Sequence, residues 1–262
     1  MKPYVHGYGT PEQERLVDQA EHWRHRLITD GTQLQPGTRL LEVGCGVGAV
    51  LAVLGQEFPG VRLFGVDIEP KQLDFAREHL ARAGVEATLR EADALELPFG
   101  DETFDHVWMM WLLEHIADSP AVLREARRVL VAGGAITAIE VDYSTCRASP
   151  SSPAIEALFR AMVQGMAASG WSDAGTRLPG WLREAGFRDV EEGERPFWWQ
   201  DEDLAGQARY AADVIESALE ALAQLPGVAE EELRAGLEDL RGLGSQPGAG
   251  LGWVMHKSTA AR

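Results

Sequence analysis

Apolar residues recur along the first 150 positions with two alternating rhythms. Short apolar runs suited to buried strands occupy residues 39–43, 61–66, 87–91, 106–110 and 135–141. Between them, residues 49–58, 72–83 and 121–131 carry apolar positions at helical spacing, closed by Phe58, Gly84 and Gly133-Gly134. Strands alternating with helices predict a parallel sheet with right-handed crossovers. A leading helix is expected over 10–30. Thr10 is its N-cap, Pro11 fills its first turn, Gln13 completes a capping box, and Leu16, Ala20, Trp23 and Leu27 form its apolar face. Ser119-Pro120 is expected to cap the helix over 121–131.

Beyond Tyr143 the rhythm changes. Helices are expected over 153–168, capped by Ser152, and over 178–185, ended by Gly186. A strand over 190–199, amphipathic helices over 201–222 and 230–240, and a final strand over 251–257 follow. About fifty residues of helix thus separate the last two strands, and long insertions in compact folds serve as lids or interfaces. The expected organisation is one structural domain: a cap helix in 1–36, a cofactor-binding core in 37–143, and 144–262 completing the sheet around a helical substrate lid.

The chemistry concentrates in Leu40-Leu41-Glu42-Val43-Gly44-Cys45-Gly46-Val47-Gly48. A strand breaks on three glycines, and a helix starts at Ala49. Backbone without Cβ atoms, beside the free N–H groups of a helix start, suits a nucleotide-like ligand at a sheet edge. The second strand ends on Asp67, where an acidic residue can accept hydrogen bonds from both hydroxyls of a ribose. Asp67 also fits a plain helix N-terminal acid, since a helix follows it.

Composition narrows the partners. The chain has 262 residues, 41 acidic against 24 basic, and a net charge of −17. Such a surface disfavours nucleic acid and anionic membranes. Cys45 and Cys146 are too few for a disulfide framework, and Cys45 suits the turn by its small size. No apolar stretch has the length of a membrane span and no signal peptide opens the chain, so a soluble cytoplasmic protein is expected. The seven histidines show no metal-ligand spacing, so no metal is expected.

A glycine turn plus an acid fits a nicotinamide dinucleotide or S-adenosylmethionine. Glu42, two residues before the turn, the helix ahead of the first strand and the downstream motifs favour the second. The runs LLEVGCGVG, FGVDIEPKQLDFAREH, READALELPFGDETFDHVWMMWLLEHIAD and LREARRVLVAGGAITAIE occur in the order found in class I S-adenosylmethionine-dependent methyltransferases. Over residues 38–142 the chain resembles that family, especially its quinone-biosynthesis C-methyltransferases and small-molecule relatives. The resemblance implies an α/β, Rossmann-like, seven-stranded, mostly parallel sheet with an antiparallel last strand, helices on both faces and a helical lid insertion. It implies methyl transfer to a small-molecule acceptor with S-adenosylhomocysteine as product. A nicotinamide-dependent oxidoreductase and an S-adenosylmethionine-binding protein with non-methylating activity are the alternatives; a homodimer is compatible with the insertion.

Carried over by that resemblance, Gly44, Cys45, Gly46 and Gly48 line the methionine and ribose portion, and Glu42 lies near the amino group. Asp67 takes the ribose, Ile68 packs on the adenine, and Asp93 and Ala94 belong to the adenine end. Met109 and Met110 end the fourth strand beside the sulfonium, and Gln72 joins the cofactor set. Tyr8, in a segment with Tyr4 and His6, is a candidate to cover the sulfonium by cation–π attraction, and Gln19 to meet the methionine carboxylate. Alternation sends Trp108 and Met110 to one side of the fourth strand, Met109 and Trp111 to the other. Candidate bases are His115, Glu140 and Asp142, each with a structural role as its competitor; His106 is expected to be exposed. Trp171, Trp181, Trp198 and Trp199 are candidates either for an apolar acceptor pocket or for core, with Trp181 leaning to core.

Overall fold

The structure, a computed structural model, describes residues 7–262; Tyr4 and His6 lie outside the described residues. A leading helix α1 (Thr10–Trp23) continues into a π-helical turn (Arg24–Ile28). The alternating half follows as β1 (Arg39–Val43), α2 (Ala49–Glu57), β2 (Arg62–Asp67), α3 (Pro70–Ala83), β3 (Ala87–Glu91), β4 (Phe104–Met110), α4 (Ser119–Val129) and β5 (Leu130–Ser149). Then come α5 (Pro153–Ser169), α6 (Ala174–Glu184), β6 (Arg188–Glu191), β7 (Glu194–Gln200), α7 (Asp201–Ser217), α8 (Leu219–Leu222), α9 (Glu230–Gly242) and β8 (Gly250–Ala261).

The sheet runs β3-β2-β1-β4-β5-β8-β6, with β7 also pairing β8. The first five strands are mutually parallel, and β8 is antiparallel to β5, β6 and β7. The expected seventh-strand reversal is therefore present. The single strand expected over 190–199 is two segments broken at Gly193. A Cβ there would stand 1.9 Å from the Lys257 carbonyl, too close for any side chain. Strand order reverses at β1, between β2 and β4, which opens a crevice at the carboxyl edge.

Several local expectations need correction. Gly9, not Thr10, is the N-cap of α1, and the Gln13 amide donates across to Gln72 Oε1 at 2.9 Å instead of closing a capping box. Asp118 caps α4 by accepting from Ala121 N–H, while Ser119 Oγ donates to the carbonyls of Leu113 and Ile116. Ser152 caps α5 as expected, accepting from Ile155 N–H. β5 runs from Leu130 to Ser149, well past the expected 135–141; β8 pairs with Ala135–Asp142 and again with Arg147–Ser149, which carries the strand to its far end. That ladder breaks between Asp142 and Arg147.

Side chains of the central strands alternate between two cores. Leu40, Trp108 and Met110 pack with α1, α2 and the insertion helices; Leu41, Val43, Val107 and Met109 pack with α4 and α6. His106 is half-buried rather than exposed, its Nε2 3.0 Å from Thr137 Oγ1, and burial lowers its pKa to about 4.

The cap helix is fastened by one buried ammonium. Lys257 of β8 donates to the carbonyls of Leu27, Ile28 and Asp30 and to Thr32 Oγ1. The Leu27 and Ile28 carbonyls close the π-helical turn, and the Ile28 carbonyl also accepts from Thr32 Oγ1. Lys257→Met removes the ammonium and leaves the buried Leu27 carbonyl without it, so a cost of about 1–3 kcal/mol is expected. The urea midpoint measures it; an unchanged midpoint contradicts this account.

Candidate active site

One cavity of about 740 Å³ opens along the carboxyl edge of β1, β2 and β4. Its floor is the glycine turn, where the three glycines have different tasks. A Cβ on Gly44 would stand 2.6 Å from Leu112 Cδ1, so Gly44 permits close packing. Gly48, with φ +70°, starts α2 and packs on Ala76 and Leu80 of α3. A Cβ on Gly46, with φ +47°, would meet nothing within 4 Å, because the cavity lies there. Gly48, assigned to the ligand by resemblance, is thus a packing and helix-start residue outside the cavity wall.

Asp67 holds the turn in place. Its Oδ2 accepts from Gly46 N–H at 2.8 Å and its Oδ1 from Glu69 N–H at 3.0 Å. Burial raises its pKa and these N–H groups oppose the rise. Asp67 thus serves the start of α3 and also faces the cavity. Glu42 is almost fully buried, and its Oε2 has no hydrogen-bond partner among the described residues. Burial, with Asp67 nearby, pushes its carboxyl well above the usual range.

Cys45, Tyr8, Gln19, Ile68, Gln72, Asp93, Ala94, Met110 and His115 also line the cavity. Ile68 is 41% and Leu95 46% exposed, and both belong to its wall. Gln72 is held by Gln13, and Gln19 accepts from Arg15, which also grips Glu12 with two nitrogens. The Tyr8 phenol is raised by burial and by Asp67 and Glu69, which puts it at the Asp67 end.

Besides Gly48, three expected residues lie elsewhere. Met109 is packed in the opposite core, since alternation turns it away from Met110. Glu140 is fully buried and accepts from the backbone N–H groups of Leu112, Leu113 and Glu114, so it clamps the turn after β4. Asp142 accepts from Ser144 and from Thr176 Oγ1, tying β5 to α6. Neither acid belongs to the cavity wall.

The tryptophans also sort differently. Trp171, Trp181, Trp198 and Trp199 are absent from the wall, whereas Trp23, Trp111 and Trp253 line it with Tyr210. Trp111 breaks the strand alternation because its backbone is left-handed, φ +52°. The break in the β5–β8 ladder brings Tyr143 and Cys146 to the wall.

Glu114 was not singled out by the sequence, although it stands next to His115. It is 2% exposed, lines the cavity and accepts at Oε1 from the Tyr143 hydroxyl at 3.1 Å. His115 Nε2 lies 3.4 Å from the same oxygen, and burial lowers the imidazole pKa to about 4. Burial and the adjacent Glu140 push the Glu114 carboxyl well above its ordinary value.

Residues 41–138 match the methyltransferase domain family. The 27-O-demethylrifamycin SV methyltransferase of Amycolatopsis mediterranei is 32% identical over 224 residues, covering 81% of this chain and 79% of that one. The chain belongs to the class I S-adenosylmethionine-dependent methyltransferases. The demethylmenaquinone methyltransferase of Symbiobacterium thermophilum is 35% identical over 136 residues, 51% of this chain and 54% of its own length. The chain thus spans about half the length of the demethylmenaquinone methyltransferases it matches. Phosphoethanolamine N-methyltransferase 2 of Haemonchus contortus shares the fold at TM-score 0.58 and 20% identity, covering 92% of this chain and 52% of that one. Membership in this methyltransferase family displaces the nicotinamide alternative.

A raised carboxyl has a signature in stability. Native Glu114 keeps a proton that the unfolded chain releases above about pH 4.5. The stability this contributes is complete below that pH and is lost as pH rises through the folded value. Glu114→Gln keeps a neutral group at every pH. Between pH 5 and pH 8 it should gain stability relative to the parent chain as the pH rises. Urea titrations at both pH values test this, and a constant difference contradicts it.

Proposed function

We propose that this chain transfers a methyl group from S-adenosylmethionine to a small-molecule acceptor inside the cavity described above. The observation that carries the reading is the make-up of its wall. The cavity takes in the bare backbone of the Gly46 turn with the Glu42 and Asp67 carboxylates, and also the aromatic side chains Trp23, Trp111, Tyr210 and Trp253. The donor, when bound, supplies an electrophilic methyl carbon on a positively charged sulfur.

The residues present fit that donor. Gly46 leaves room where any side chain would intrude. The unpartnered Glu42 Oε2 suits an ammonium group, and the Gln19 amide suits a carboxylate. Asp67 has lone pairs left for ribose hydroxyls. Exposed Ile68 and Leu95 suit the two faces of a flat base, and Asp93 suits its exocyclic amine. The Haemonchus enzyme with this fold was solved with S-adenosylhomocysteine.

Methyl transfer is an in-line displacement, so most of the catalysis can come from holding the reacting atoms at about 3–3.5 Å and aligned. The chain's part is to orient both reactants and exclude water. His115 is neutral at physiological pH and lines the cavity, so it is the wall's candidate to take a proton from a hydroxyl acceptor. The insertion supplies Tyr210, Ala211, Val214 and Ile215 to the wall, as a lid over the acceptor would.

Calorimetry with S-adenosylhomocysteine tests the donor site. Gly46→Val and Asp67→Ala should each weaken binding at least tenfold, the first by filling the open space and the second by releasing the Gly46 N–H. Parent affinity in both variants would overturn the proposal.

A further inference from the structure

We infer that the acceptor is an uncharged, largely apolar compound presenting an oxygen without a proton of its own, such as a ketone carbonyl, and that the Tyr210 hydroxyl donates to that oxygen. Tyr210 is then the residue that positions the acceptor. The inference deepens the methyl-transfer reading and rests on it for the reaction.

The insertion and its flanking elements supply one part of the cavity wall, through α5, α7 and β8. Phe159, Met162, Val214, Ile215, Leu251 and Met255 make that part apolar. Its hydrogen-bonding side chains are Ser169, Tyr210 and Trp253, and among the described residues it has no lysine, arginine, histidine or acid. The Ser169 hydroxyl turns back to the Gly165 carbonyl at 3.0 Å. Trp253 carries an indole N–H, which donates only. Tyr210 accepts from Trp23 Nε1 at 2.8 Å and spends its accepting side there. Its own proton is left over. This surface therefore offers donors, and a ligand laid on it needs a lone pair.

The Tyr210 hydroxyl is also held in place. Its ring stacks on His22, with centroids 4.4 Å apart and planes 8° from parallel, and lies 6.5 Å from the Trp253 ring. A donor fixed by its neighbours loses little freedom when a ligand arrives. Burial raises the phenol pKa to about 12, so the proton stays on at neutral pH. Arg15 and Glu114, both on the cavity wall, also act on this phenol, which puts the hydroxyl beside the cavity.

Charge narrows the class. A carboxylate or a phosphate also has lone pairs, but it needs a cation. Among the described residues, Arg15 is the one lysine or arginine on the cavity wall, and its guanidinium is bound to Glu12 and Gln19. A neutral carbonyl pairs the Tyr210 proton without asking for a cation, whereas a hydrocarbon leaves that proton unpaired.

The test measures binding of 1-tetralone, its hydrocarbon counterpart tetralin and 1-naphthoate to the full chain saturated with S-adenosylhomocysteine, by calorimetry. 1-Tetralone should bind most tightly. Tyr210→Phe should weaken 1-tetralone about fivefold or more and tetralin less than about twofold, with S-adenosylhomocysteine affinity unchanged. A mere loss of packing would weaken both ligands alike. Isotope-edited infrared spectroscopy reads the hydrogen bond itself. The carbonyl stretch of bound 1-tetralone should fall below its position in hexane, and Tyr210→Phe should move it back up. No binding of 1-tetralone, tighter binding of tetralin or 1-naphthoate, equal losses of both neutral ligands in Tyr210→Phe, or an unshifted stretch in the parent chain overturns the inference. The parent spectrum decides the matter should the variant not fold. Should S-adenosylhomocysteine give no heat while 1-tetralone binds the bare chain with this pattern, the donor reading fails and the Tyr210 anchor stands.

Discussion

The site depends on one short hydrogen bond, from Gly46 N–H to Asp67 Oδ2 at 2.8 Å. It joins the turn after β1 to the end of β2, at the point where the sheet order reverses. Without it the left-handed backbone at Gly46 has no tie on its cavity side, and the carboxylate that faces the cavity loses a partner that holds it charged. Neighbouring backbone reinforces the junction: the N–H groups of Gly44 and Cys45 both reach the Val66 carbonyl. Cys45 Sγ then fills the space over Gly65, where a Cβ would come within 2.8 Å of it. Small residues at 44, 45, 46 and 65 are thus one packing solution, which leaves the backbone bare toward the ligand and tight toward the sheet.

A second acid does for the acceptor side what Asp67 does for the donor side. Glu140 gathers the N–H groups of the turn after β4 from a fully buried position, so the wall segment 111–116 is fixed without spending side chains that face the cavity. The far side of that turn is held by the segment that follows α5. Trp171 N–H reaches the Glu114 carbonyl, and Trp171 Nε1 reaches the Ile116 carbonyl. Gly170 is needed there because a Cβ would fall 1.9 Å from the Glu114 oxygen. Two covers on the cavity, α1 and α7, meet at the Trp23–Tyr210 bond, and Lys257 anchors the first of them to β8.

How far the sequence could be read follows from how local each cause is. Strands β1 and β3 are found at their expected bounds, because each is a short apolar or alternating run between turn residues. The glycine turn and Asp67 were legible for the same reason. Long-range pairing was not. β5 extends to Ser149 because β8 lies beside it more than a hundred residues later, and its break brings Tyr143 to the wall. Glu140 and Glu114 show the limit most clearly. Both are acids near strand ends, and sequence favours Glu140 for its place on β5. The fold buries Glu140 behind the turn and turns Glu114 to the cavity. The late tryptophans were ambiguous for a similar reason, since composition places aromatics near a lid without saying which face they share.

Trp111 shows how strain, clamp and pocket belong to one device. A non-glycine residue at φ +52° costs about 1–3 kcal/mol and persists only where its surroundings over-determine it. Here the surroundings do so: Trp111 N–H is held by the Ile139 carbonyl, and the next two N–H groups by Glu140. The reversal ends β4 and stops strand alternation from carrying the indole into the α4–α6 core with Met109. The indole instead joins Met110 on the cavity side. An extended residue at 111 would run the chain straight past the crevice, and Glu114 and His115 would not fold back over it. The buried Glu140 carboxyl, its pKa raised by burial to about 7, is thus the counterpart of that strain, and its hydrogen bonds explain why an acid is sunk so deeply beside a turn that carries the wall.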